Sequence, residues 1–233
     1  MKVAVMYSGG KDSTYAIDYC LSKGWEIAYL LSVKPNRKDC FLFHYATVEH
    51  TKTQAEILGL KHILVPCTVA DPEQEAEIVR KVVEANPVDA VVLGGTGLQE
   101  TQIRSIQNAL RPMKIDAFAA HAGTGQDHEE VFREMIAKGY EIIITQIASD
   151  GLLKWLGQRI TKENFEQLRA DSITYGFHIG GEGGYFDSFV CDGPIFNQKI
   201  EFGEVKKVVE DQYNGHLEVS SLKVMKKVEI RKP

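Results

Sequence analysis

Apolar runs and helix-spaced apolar positions alternate along the first half of this chain. Lys2 to Met6 predicts a buried strand. Thr14 to Ser22 predicts a helix with Ile17 and Leu21 on one face, ended by Gly24. Trp25 to Val33 predicts a second buried strand. Phe43 to Leu58 carries helical spacing through Ala46, Val48, Ala55 and Leu58 and stops at Gly59. His62 to Val65 predicts a third strand, and Pro72 to Ala85 an acidic helix with Ile78, Val82 and Val83 on its apolar side. Asp89 to Leu93 predicts a fourth strand, running into Gly94-Gly95-Thr96-Gly97. A helix from about Thr101 to Leu110 and a strand near Ile115 to Ala119 follow. Alternation of this kind predicts an α/β unit built on a doubly wound, parallel, five-stranded sheet. Ligands of such sheets sit at the carboxyl ends of strands, near the point where the strand order reverses. The turns at Ser8 and Gly94 both occupy strand ends and are expected to face one crevice.

The pattern changes near Ala122 to Asp127, and a domain boundary is placed there, giving 1–122 and a smaller α+β domain, 123–233. The second part predicts a helix over Glu129 to Lys138, a strand over Glu141 to Ile147, and a helix over Lys162 to Tyr175 capped by Thr161. Glycines crowd Gly176 to Gly184. Short alternating strands follow Tyr185, with Asn214-Gly215 expected as a hairpin turn. The basic run from Lys223 to Lys232 reads equally well as a solvated edge strand and as a binding patch.

Composition narrows the class. The 233 residues are 44% apolar and 25% charged, as in ordinary globular proteins. A formal net charge of −5 argues against general nucleic-acid binding, which favours a basic surface. No apolar stretch approaches the length that spans a bilayer, and the N-terminus runs straight into a strand without a signal pattern. Cys20, Cys40, Cys67 and Cys191 form no Cys-x-x-Cys pair, so neither a zinc ribbon nor a dithiol motif is supported, and a reduced, cytoplasmic setting is expected. Cys20 and Cys67 are expected to behave as small core hydrophobes.

The chemistry begins at Tyr7 to Ser13, Tyr-Ser-Gly-Gly-Lys-Asp-Ser. Gly9 and Gly10 allow successive N–H groups to converge on one oxyanion. The following helix adds its positive end, Lys11 a full charge, and Ser8 and Ser13 hydroxyl donors. The spacing of a Walker A motif is absent. The turn resembles the pyrophosphate loop, Ser-Gly-Gly-x-Asp-Ser, of the ATP pyrophosphatases, which cleave ATP to AMP and pyrophosphate.

A second stretch, His178 to Phe196, makes the resemblance specific. It reads His-Ile-Gly-Gly-Glu-Gly-Gly-Tyr-Phe-Asp-Ser-Phe-Val-Cys-Asp-Gly-Pro-Ile-Phe. Gly181, Glu182, Gly183, Gly184, Phe186, Phe189, Val190, Asp192, Pro194 and Phe196 match the pattern Gly-Glu-Gly-Gly-Glu-Phe/Tyr-Glu-Thr-Phe-Val-x-Asp-x-Pro-Leu-Phe, with Asp187 and Ser188 as conservative replacements. The chain therefore resembles the diphthine–ammonia ligase (diphthamide synthase) family of N-type ATP pyrophosphatases, from the first strand to about residue 200. His44 and Trp155-Leu156-Gly157 are further matches. Tyr185 stands where the family has a second acid. Glu100 to Arg104 replaces a Tyr-Gln-Arg-x-Arg segment, and His121-Ala-Gly-Thr-Gly-Gln-Asp127 replaces a Trp-Gly-Arg/Lys-Asp segment.

The resemblance implies an adenine nucleotide alpha hydrolase-like (HUP class) fold with an ATP-pyrophosphatase domain and an acceptor domain. It implies an amide-forming ligase that adenylates a carboxylate, that of diphthine on elongation factor 2, and condenses it with ammonia. The cofactors implied are ATP and Mg²⁺; the partners are ATP, ammonium and the protein acceptor. Oligomeric state, a homodimer included, stays open. For the nucleotide it implies Ser8, Gly9, Gly10, Lys11, Asp12, Ser13, Val33 and Gly94, with Asp12 toward the metal. For chemistry it implies Lys11, Glu182 and Arg104; for the substrate, His44, Gln102, Gly183, Gly184 and Asp187. Glu182 could ligate Mg²⁺, hold ammonium, act as a base or anchor a turn. Arg104 reads equally as an anion contact and as a solvated helix residue, and His44 equally as a substrate contact and as a core histidine. Trp155 is expected to pack between the domains. A tRNA-modifying adenylating enzyme and a non-catalytic nucleotide-binding regulator are the alternatives.

Overall fold

The computed structural model describes residues 1–35, 47–67, 71–95, 100–123, 125 and 127–227. The first half alternates β1 (Lys2–Met6), α1 (Lys11–Ser22), β2 (Glu26–Pro35), α2 (Thr51–Leu58), β3 (His62–Cys67), α3 (Pro72–Ala85), β4 (Ala90–Leu93), α4 (Glu100–Leu110) and β5 (Asp116–Ala119). The five strands form one parallel sheet in the order β3-β2-β1-β4-β5. Chain order reverses between β1 and β4, so the turns after these two strands flank the switch point, where such sheets bind ligands.

Alternation along each strand sorts its side chains between two cores. Ala4, Met6, Tyr29, Leu31, Val33, Val91 and Leu93 pack against Ala76, Val79 and Val83 of α3 and Ile106 and Leu110 of α4. Val3, Val5, Tyr7, Leu30, Ala90 and Val92 face the other way, onto Tyr15, Ile17 and Cys20 of α1 and Ala55 and Ile57 of α2.

That second core does not stop at the helices. It continues into the other half of the chain: α5 (His128–Ala137), β6 (Glu141–Ala148), β7 (Arg159–Ile160), α6 (Lys162–Tyr175), β8 (Phe186–Asp192), β9 (Gln198–Phe202), β10 (Val205–Val209), β11 (Asn214–Val219) and β12 (Leu222–Lys226). Phe132, Met135, Ile142, Ile144 and Phe189 extend the same cluster. The antiparallel sheet runs β10-β11-β6-β7, with β8 on the other edge of β6, and β12 pairs with β9. Burying both halves in one apolar cluster fixes the first turn of α1 against β8, and the site depends on that register.

Local signals explain the element ends. Pro72 at the first helical position and Asp71, whose Oδ1 accepts from the Gln74 N–H at 2.9 Å, start α3 at the predicted residue. α6 also spans its predicted range, with the Thr161 N–H donating to Asn164 Oδ1 at 2.8 Å. Two expectations change. The run before Leu58 is broken: Val48–His50 is a 3₁₀ turn and α2 begins only at Thr51, while 43–46 lie outside the described residues. Asn214-Gly215 opens β11 instead of forming the hairpin turn. Asp211 makes the turn by accepting from the N–H groups of Tyr213 and Asn214, each at 2.7 Å. Trp155 is buried in the apolar cluster shared by both halves, and its indole donates at 2.8 Å to Asp171 of α6. Cys20 and Cys67 are buried thiols, as expected of core residues. Among the described residues no helix is long and apolar enough to cross a membrane.

Candidate active site

β1 delivers the chain to the switch point, and the serine–glycine turn follows. The helix predicted from Thr14 starts earlier, at Lys11. Gly10 is its N-cap, in an extended conformation (φ −82°, ψ 174°), so Lys11, Asp12 and Ser13 form the first helical turn. Only Gly9 needs glycine's conformational freedom, at φ +83°. The turn is tied internally by the Ser8 N–H donating to Ser13 Oγ (3.2 Å) and by Ser13 Oγ donating to the Gly10 carbonyl (3.1 Å). These hydroxyls and the first-turn N–H groups are donors suited to an anion.

The second half of the chain holds this turn in place. The Val190 N–H donates to the Gly9 carbonyl at 3.0 Å, and the Lys11 N–H donates to Ser188 Oγ at 3.2 Å. Gln54 of α2, wholly buried, donates through Nε2 to the carbonyls of Gly9 (3.0 Å) and Val190 (2.8 Å), so one amide clamps loop and strand together. Replacing Gln54 by leucine strips a donor from two buried carbonyls. Equilibrium denaturation should show a loss of about 1–3 kcal/mol.

Lys11 is buried, its side chain 4% exposed. Nζ lies 2.6 Å from Asp12 Oδ2 and 5.6 and 5.9 Å from the ring centres of Phe132 and Phe186. Burial alone would push the Asp12 carboxyl up. The Lys11 ammonium, helped by His121, more than reverses this and holds it well below the usual carboxylate range. Asp12 Oδ1 faces His121 Nε2 at 3.5 Å.

From there a row of imidazoles crosses the crevice. His121 and His128 stack with centroids 4.4 Å apart and planes 23° from parallel; His178 meets His128 edge-on at 5.5 Å. His128 is set at the first position of α5 by the capping box of Asp127 and Glu130. Its Nδ1 lies 3.4 Å from Glu182 Oε1. Burial, with His121 alongside, lowers the His128 pKa to about 4, so this imidazole is neutral near pH 7.

The turn after β4 closes the site. A Cβ on Gly94 would lie 2.4 Å from the carbonyl carbon of Asp12, and one on Gly95 would lie 2.7 Å from Glu182 Oε1. Thus the Ser8–Ser13 turn, Gly94-Gly95 and the glycine loop carrying Glu182 meet at one place, the crevice expected from the strand ends.

Other expected residues lie in β2, α4, β8 and the loop carrying Glu182. Val33 is buried in β2, its side chain on the α3–α4 side and its backbone in register with Val65. Arg104 is exposed one turn into α4. Gln102 is in the first turn of that helix, and its side chain lies outside what the structure describes, as does His44 entirely. Gly183 and Gly184 are exposed in the loop beside Glu182; Asp187 is half-buried in β8 opposite Gln146. Asp192 caps a turn through the Gly193 N–H (2.7 Å) and pairs with Lys227 at 2.5 Å. Sequence reasoning missed Gln54, His121 and His128 as parts of the site, and treated Ser188 only as a replacement within a motif.

A family model described as Diphthamide synthase N-terminal domain matches residues 1–115, and one described as Diphthamide synthase C-terminal domain matches residues 127–226. The chain is similar to the protein named diphthine–ammonia ligase of Mus musculus, 29% identical over 223 residues, covering 86% of this chain and 82% of the relative. The protein of that name from Homo sapiens is 28% identical over 224 residues, with the same coverage. That of Danio rerio is 28% identical over 259 residues, covering 99% of each chain.

Proposed function

The chain belongs to the diphthamide synthase family, and from that premise we propose that it condenses ammonia with the carboxylate of diphthine, converting ATP to AMP and pyrophosphate. The acceptor protein is elongation factor 2, and the reaction is cytoplasmic. The observation that carries this reading is the meeting of an anion-binding turn with the Glu182 loop across Gly94-Gly95.

The chemistry follows from what a carboxylate lacks. It is a poor electrophile, and oxide does not leave. Attack of the acceptor carboxylate oxygen on the α-phosphorus forms an acyl-adenylate and breaks the bond to the β-phosphate, releasing pyrophosphate. Negative charge then grows on the departing phosphates. The Ser8 hydroxyl, the N–H groups of Asp12 and Ser13 in the first α1 turn and Lys11 are fixed before reaction, and fixed donors in a desolvated site lower such barriers most. Asp12 would hold Mg²⁺ through water, and the ion would supply positive charge against that growing on the phosphates.

Ammonia then attacks the acyl carbon, the bond to AMP breaks, and the nitrogen loses a proton. Glu182, half-buried beside Gly95, belongs to this second step, with Gly183, Gly184 and Asp187 shaping the acceptor side. The division at 122/123 separates the half that activates from the half that receives. The net charge of −5 supports a protein acceptor over tRNA.

The test is incubation with ATP, Mg²⁺, ammonium and diphthine-bearing acceptor. Acceptor-dependent AMP and amide are expected; ADP with orthophosphate would rule the reading out. Glu182→Ala should keep pyrophosphate exchange and lose amide formation by about 10²-fold or more. Normal amide yield in that variant would make Glu182 a turn residue only.

A further inference from the structure

Asp12, His121 and His128 each offer one donor atom, and these atoms lie within 4.8 Å of one another. Two donor pairs are closer: Asp12 Oδ1 to His121 Nε2 at 3.5 Å, and Glu182 Oε1 to His128 Nδ1 at 3.4 Å. Ligand bonds of about 2.0–2.2 Å put neighbouring donors of a tetrahedral ion about 3.4 Å apart. Both carboxylate–imidazole pairs therefore already have the length of a tetrahedral edge, and the stacked rings, 4.4 Å apart, bring the two edges face to face.

We propose that Asp12, His121 and His128, closed by Glu182, bind a divalent late first-row transition-metal ion of the Zn²⁺ or Co²⁺ type. Two imidazole nitrogens with carboxylate oxygens are the donor set of such ions, whereas Mg²⁺ takes oxygen and keeps its water. The surroundings orient the ligands. Lys11 takes Asp12 Oδ2 at 2.6 Å and leaves Oδ1 toward His121; the Asp127–Glu130 capping box fixes the backbone that carries His128. His121 belongs to the segment that stands where the family has Trp-Gly-Arg/Lys-Asp, and the proposed ion takes Asp12 directly, whereas the Mg²⁺ that accompanies ATP would meet it through water.

An ion held this way joins the start of α1, the segment after β5, the start of α5 and the Glu182 loop. It clasps the two halves where the nucleotide turn meets the acceptor loop. Because one ion needs converging nitrogens, its binding turns His121 and His128 out of their stack.

The test uses the full chain stripped of metal by a chelator, without ATP or acceptor, so it is independent of the ligase reading. Calorimetric titration with Zn²⁺ and visible spectroscopy with Co²⁺ are both run in excess Mg²⁺. The expected result is one ion per chain, a four-coordinate Co²⁺ spectrum and a raised thermal midpoint. His128→Gln, on the partly exposed start of α5, should weaken binding by about 10-fold or more, as should His121→Gln. Circular dichroism of each variant checks folding. Absence of Zn²⁺ binding above Mg²⁺, an octahedral Co²⁺ spectrum, or unchanged affinity in a folded His128→Gln would each overturn the proposal.

Discussion

Lys11→Met should lower ATP–pyrophosphate exchange about 10²–10³-fold, the scale of removing one fixed donor from a site where charge develops. Methionine keeps most of the stem volume between Phe132 and Phe186, so the loss is one of charge more than of packing. The ammonium is buried against Asp12, and its removal leaves a desolvated carboxylate that has lost its 2.6 Å cation and keeps His121 Nε2 at 3.5 Å. Stability should therefore fall too, by about 1.5–3 kcal/mol. The double variant Lys11→Met with Asp12→Asn separates the two effects. Neutralising both members of a buried pair recovers much of what removing one costs. Stability should rise again in the double variant while exchange stays low. Exchange that recovers along with stability would show that Lys11 only supports the fold; a wild-type rate in the single variant would remove it from the mechanism.

What the chain reveals by inspection is what local rules control. α3 and α6 were legible to the residue because each start is set by neighbours in sequence: Asp71 with Pro72, and Thr161 with Asn164. The five-stranded parallel sheet followed from alternation, and the meeting of the Ser8 and Gly94 turns from the rule that places ligands at strand ends. The start of α1 was read late because its residues look like the end of a glycine turn; an extended Gly10 lets the helix begin at Lys11. Asn214-Gly215 carries a hairpin signal, but Asp211 captures two N–H groups just before it and makes the turn there. The site was legible only where a motif marks it. Gln54 sits in an ordinary amphipathic run, and nothing nearby in sequence announces that its amide bridges Gly9 and Val190. His121 and His128 become neighbours only when α5 folds against α1. The signal available was indirect: His121 begins the segment in which the chain leaves the family pattern.

Gly94→Ala should disable the nucleotide turn from behind. Gly94 has no left-handed backbone to protect, so the constraint is purely one of approach. A Cβ there would lie 2.4 Å from the Asp12 carbonyl carbon and 2.5 Å from the Ser13 nitrogen, both backbone atoms that no rotamer change can move aside. The first turn of α1 must retreat by about an ångström, yet it is tied on its far side to Ser188, Val190 and Gln54. Overpacking a rigid contact costs about 1–3 kcal/mol, and an ångström of misplacement costs about 10²-fold in rate. Denaturation and pyrophosphate exchange should both register the change. Gly95→Ala supplies the contrast. Its Cβ would meet Glu182 Oε1 at 2.7 Å, the mobile end of a side chain, so the fold should yield cheaply. Pyrophosphate exchange should survive in Gly95→Ala while amide formation falls, because the carboxylate moves and the loop that grips phosphate does not. Equal loss of both activities in the two variants would mean that the crevice works as one rigid unit, with no division between the activating and the receiving side.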